Sequence, residues 1–201
     1  MRQLAIVLGA LLMGPLAAQG QPKPEPDWPC VQRRVAMIGP ASVWSGPSPE
    51  AAGPWQSDPA VATLAHKLAS RRTTLEEADA LIDTLAAQAG PERTGKLTRL
   101  FVGILELTNA ERSRVLDGIT RYARGQTRLA ERIREEADKI SAVKDSPQAD
   151  TPKEIADLET AFAWDKRVFE ERSQALNYVC EVPTLLEERL GEIARRIAGR
   201  L

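Results

Sequence analysis

The chain has 201 residues, enough to bury one substantial core. Its formal charge at neutral pH is −1, which lacks the basic excess that nucleic acid demands. Two cysteines and one histidine give no zinc ligand set, no Cys-x-x-Cys redox motif and no haem attachment site.

Residues 1–20 have the make-up of a secretory signal peptide. Arg2 is a short positive region, residues 4–13 are apolar apart from Gly9, and small residues follow at Ala17, Ala18 and Gly20. The run is too short for an ordinary membrane-spanning helix, so no stable membrane insertion is expected once the signal is cleaved. A short signal with one arginine suits a bacterium, and the expected address is the periplasm. In such an oxidising compartment Cys30 and Cys180 are expected to form a disulfide.

Residues 21–57 read as an extended Trp/Pro-rich strap. Proline alternates with polar residues over 21–26, and Gly39-Pro40, Gly46-Pro47, Pro49 and Gly53-Pro54 then make helix untenable. Val35 to Ile38 and Ser42 to Trp44 suggest brief strand-like pieces. Trp28, Trp44 and Trp55 are the expected anchors of this strap on a helical core, because an exposed tryptophan is costly.

Residues 58–201 read as one helical domain. Asp58-Pro59 opens a helix over about residues 59–70, with Val61, Leu64, Ala65 and Leu68 inward. Thr73 or Thr74 caps a second over about residues 74–89, which Gly90-Pro91 ends. Two long helices follow, over about residues 92–143 and 152–199. One seam runs Leu97, Phe101, Ile104, Thr108, Val115, Ile119, Tyr122, Leu129, Ile133, Ala137, Ile140; its mate runs from Ile155 through Phe162, Phe169, Leu186 and Leu190 to Ile197. Steps of three and four are the mark of a coiled-coil-like face. The fold class is therefore all-α: a long antiparallel helical hairpin, with two short helices forming a basal bundle and an N-terminal strap. A turn near residue 147 sets Leu97 against Ile197, Gly125 against Phe169 and Tyr122 near Arg172, where a cation–π contact is expected. The outer half, charged outside a narrow seam, reads as a two-helix arm standing clear of the base.

Catalysis needs convergent groups in a cleft. His66 sits alone on an alanine-rich helix, and the carboxylates of the last helix alternate with arginines, which is solvated pairing. There is no Gly-x-Ser-x-Gly, phosphate loop or Glu-x-x-His pair. An enzyme is not expected, nor a metal or other cofactor. The informative polar residues are Asp165 and Arg172, which stand where the seam would otherwise be apolar. They read either as a register-setting polar layer or as part of a partner-binding surface. Tyr122 and Trp164 complete the candidate set.

The blocks Asp27-Trp28-Pro29-Cys30-Val31-Gln32-Arg33, Val43-Trp44-Ser45-Gly46-Pro47, Trp164-Asp165-Lys166-Arg167-Val168-Phe169-Glu170-Glu171-Arg172 and Tyr178-Val179-Cys180-Glu181-Val182-Pro183 resemble a group of exported helical proteins of Gram-negative bacteria, to which no function is attached. Separately, Leu107-Thr108-Asn109-Ala110-Glu111-Arg112 is similar to the Leu-Thr-x-x-Gln motif of the small periplasmic chaperones of the Spy and CpxP type, with glutamate in the glutamine position. The expected function is that of a non-catalytic periplasmic interaction or adaptor protein, docking another envelope protein through its hairpin. The alternative is a holdase-like chaperone. A homo-oligomer is compatible with either.

Overall fold

The computed structural model describes residues 27–145 and 152–201. The expected signal peptide, the proline-rich residues 21–26 and most of the hairpin turn, up to Thr151, lie outside the described residues. Four α-helices account for most of the remainder: α1 (Pro59–Ala69), α2 (Leu75–Gln88), α3 (Arg93–Lys144) and α4 (Pro152–Ala198). Among the described residues there is no strand, so the chain is all-α. Neither strand-like piece expected in the strap forms: residues 35–38 carry no regular structure, and the strap's regular elements are single 3-10 turns at Pro40–Ser42, Pro49–Ala51 and Trp55–Ser57. Two of these open on a proline, whose fixed φ suits a tight first turn and whose missing N–H would spoil a ladder.

The helix starts follow local chemistry. The Asp58 carboxylate accepts the backbone N–H groups of Ala60 and Val61 at 3.0 and 3.2 Å, and the Thr74 hydroxyl accepts that of Glu77 at 3.1 Å. The Val61 N–H above all, then the Lys96 ammonium, hold the Asp58 carboxyl below its ordinary range. A lowered folded-state value means that the cap's contribution is complete above about pH 4 and is lost as pH falls through the folded value. Asp58→Ala should therefore cost about 1 kcal/mol at neutral pH, with the gap to wild type closing in acid; denaturant titrations at the two pH values read it. Between α2 and α3, Gly90 has φ +53°, a left-handed conformation that glycine adopts without a Cβ clash.

The core sits at the base of the hairpin. Val61, Ala65 and Leu68 of α1, Ala78, Ile82 and Leu85 of α2, Leu97, Leu100, Phe101 and Ile104 of α3, and Leu190, Ile193 and Ile197 of α4 form one buried cluster. Arg189 ties the α1–α2 corner to α4, donating to the carbonyls of Leu68, Ser70 and Thr73 at 3.2, 2.8 and 2.7 Å. A cation on the free carbonyls of a helix end is a favourable pairing with the helix dipole. Burial, then the neighbouring Arg71, pulls the Arg189 guanidinium below its ordinary range.

Gly103 shows why a glycine stands in the middle of α3. A Cβ there would lie 2.8 Å from the Trp55 ring and 2.9 Å from the Ala65 Cβ. Alanine would gain about 1 kcal/mol of helix propensity, but overpacking costs about 1–3 kcal/mol. The second effect should win, because Trp55 is itself buried. Gly103→Ala is expected to lower the denaturation midpoint, whereas Gly125→Ala, with nothing within 4 Å of the new methyl, should raise it.

Above the base only α3 and α4 continue. Ile133, Ile140, Val143, Ile155, Leu158 and Phe162 are no more than half-buried, which is what one partner helix can cover. The antiparallel register is fixed by Arg112–Glu187 at 2.5 Å, Gln126 Nε2 to the Phe169 carbonyl at 3.2 Å, and Lys144–Glu159 at 2.6 Å. Pro183 lies buried inside α4 without ending it.

Candidate interaction surface on the helical arm

The strap runs down the outside of the hairpin and is fastened at successive heights. Asp27 pairs with Arg124 at 2.7 Å and Arg34 with Asp117 at 3.2 Å. Between them Cys30 is joined to Cys180 of α4, with Cα atoms 5.5 Å apart. Lower down, the buried Asn109 side chain accepts the Ile38 N–H at 2.8 Å and donates to the Ile38 carbonyl at 3.1 Å. It gives one strap residue the two bonds that a neighbouring strand would. Arg112, 2 % exposed, donates to the Val35 carbonyl and also pairs with Glu187, linking strap, α3 and α4. The segment Leu107 to Arg112 thus carries two strap-binding side chains, which its periodicity alone did not reveal.

Two of the three strap tryptophans pack on the base. Trp55 is buried, donates to Glu106 at 2.7 Å and meets the exposed His66 edge-on at 5.6 Å. Trp44 stacks on Phe101 with centroids 4.1 Å apart. Trp28 stands higher, half-buried, where it shares an open cleft of about 340 Å³ with Ala123, Gln126, Phe169 and Leu176.

The candidate polar residues do not form one layer. Asp165 lies buried in the seam and binds the Arg132 guanidinium across the hairpin. That bond holds Arg132 above its ordinary range. One helical step below, Gln126 bonds the Phe169 carbonyl and the Ser173 hydroxyl. The Gln126 side chain, not the Gly125 backbone, faces Phe169, which corrects the expected hole. Tyr122 does reach Arg172, but its hydroxyl donates to the Arg172 backbone carbonyl at 2.8 Å. The Arg172 side chain is exposed. The expected cation–π contact is replaced by this bond because Ser173, one residue on, takes the inner position.

Trp164 faces away from the hairpin, 59 % exposed, with the Arg167 guanidinium 5.2 Å from its ring centroid. Tyr178 and Leu185, on the same side of α4, are 75 % and 47 % exposed. Contiguous apolar patches mark interaction sites; these three side chains are spaced along one helix face, with the exposed Glu171 between Trp164 and Tyr178. Among the described residues no group of three or more His, Cys, Asp or Glu side chains is placed to hold a metal ion, and no helix is long and apolar enough to cross a membrane. No family model, curated protein or solved structure matches the chain.

Proposed function

We propose that this is an exported, non-catalytic interaction protein of the periplasm, in which a strapped helical base carries a two-helix arm that docks another envelope protein. The observation that carries the reading is the outer side of α4. Trp164 lies exposed on the arm, and Tyr178 and Leu185 lie exposed on the same side of α4 nearer the base. A holdase-like chaperone is the second reading, favoured by the open, largely apolar cleft beside Trp28.

Replacing residues 121–173 by a short glycine-containing turn separates the parts. The shortened chain should keep its base folded and Cys30 bonded to Cys180, yet lose the envelope partner that cross-linking recovers with the full chain. Outright unfolding would make the arm part of the core. Normal partner recovery would move the function to the base or the strap. Suppression of aggregation of unrelated unfolded proteins at near-stoichiometric amounts would favour the holdase.

A further inference from the structure

The inner seam of α4, through Phe162, Phe169, Leu176, Pro183 and Leu186, is taken up by α3. A second seam lies about a third of a turn round the same helix. Small residues Ala161, Val168, Ala175 and Val182 alternate there, at steps of three and four, with Trp164, Glu171, Tyr178 and Leu185. None of the eight is buried. The repeat covers about three and a half heptads, or roughly 37 Å of helix. It stops below Leu185, where Arg189 is committed to the α1–α2 corner.

We infer that this second seam pairs with the same seam of a second copy of the chain, antiparallel, about a two-fold axis near residue 173. The inference rests on the reading of this face as a docking surface and narrows it: the stripe itself takes a second copy, and the envelope partner meets the paired arms elsewhere. A helix meets its own copy isologously, so the stripe must be its own complement. Reversed on itself, it is. Trp164 falls opposite Val182, Tyr178 opposite Val168, and Leu185 opposite Ala161, so each apolar layer joins a large side chain to a small one. Glu171 falls opposite Ala175, beside its own Arg167 at 3.1 Å. On one flank Arg167 meets Glu181 of the copy and Gln174 meets its own counterpart; on the other the exposed Arg172 meets its own counterpart. The parallel arrangement fails on the same residues: Glu171 would face Glu171, Trp164 would face Trp164, and Arg167 would lie against Arg172. A stripe shaped for a foreign helix need not show this match of size under reversal.

The test is mass in solution for the mature, disulfide-bonded protein. Sedimentation should give twice the chain mass, falling to the single-chain mass in Trp164→Glu/Tyr178→Glu, with circular dichroism and the disulfide unchanged. Arg167→Glu alone should shift the equilibrium toward monomer. Arg167→Glu/Glu181→Arg should restore the dimer, although the two positions lie about 21 Å apart along one helix and can only meet between copies. A wild-type protein monomeric at every attainable concentration would overturn the inference. So would a dimer that survives Trp164→Glu/Tyr178→Glu, or a double charge reversal that fails to restore pairing. Loss of envelope-partner recovery in the arm-replaced chain is a separate readout, so a monomeric arm that still captures its partner sinks the dimer and leaves the docking function standing.

Discussion

Breaking the Cys30–Cys180 bond is expected to release the upper strap and to lower the unfolding free energy by up to about 5 kcal/mol. The bond closes a separation of 150 residues, and the chain-entropy contribution grows slowly with loop length. The figure is a ceiling, because the reduced, unfolded chain keeps residual structure. What the reduced protein looks like follows from the remaining fasteners. Above Val35 these include the Asp27–Arg124 and Arg34–Asp117 pairs, whose side chains are largely solvent-facing; each such pair is worth about 0–1 kcal/mol. From Val35 downward the chain is held by Arg112 on Val35, by Asn109 on Ile38 and by the two base tryptophans. Cys30→Ala/Cys180→Ala should therefore stay helical, expose Trp28, and become cleavable by trypsin at Arg33 while Trp44 and Trp55 stay protected. Equal stability of the bonded and cysteine-free proteins would sink this account, as would loss of the whole strap at once.

The helices were legible because their signals are local. The caps at Asp58 and Thr74, the Gly90-Pro91 break and the three-four seams each act within one or two turns, and every helix boundary falls within a residue or two of its expected place. The disulfide was legible from the pairing of an even cysteine count with a signal-like N-terminal sequence. The strap's contacts were not. Asn109 recognises Ile38 across 71 positions, and a polar residue on a helix gives no sign of which distant backbone it will meet. Arg172 was misplaced for a different reason. Extending an ideal step of three and four through a polar stretch leaves Arg172 and Ser173 equally eligible, and burial of a short hydroxyl is cheaper than burial of a guanidinium. The outer stripe from Ala161 to Leu185 was present in the same residues, but it is visible only once the inner seam has been assigned to α3.

Phe101→Ala should be the most damaging single truncation in the helical base, at about 3–5 kcal/mol. Phe101 is the largest fully buried side chain and belongs to the cluster that joins α1, α2, α3 and α4. Its ring also stacks on Trp44, at an interplanar angle of 8°, a contact worth about 0.5–1.5 kcal/mol beyond its area. Trp44 in turn is closed in by Gly46 and the C-terminal Leu201: a Cβ at Gly46 would lie 2.3 Å from the indole and 2.6 Å from Leu201. The cavity left by Phe101→Ala thus opens between the base and its strap, where the indole has no other ring partner to settle on. A matched truncation on the arm, Phe162→Ala, removes a ring that is only partly buried, so a smaller loss in apolar burial is expected. Denaturant unfolding of the two variants, followed by tryptophan fluorescence and by circular dichroism, compares them directly. Phe101→Ala should shift both signals together, since strap and base lose the same side chain. A cost below about 1 kcal/mol for Phe101→Ala, or a larger cost for Phe162→Ala, would mean that the hairpin arm rather than the base holds the fold together.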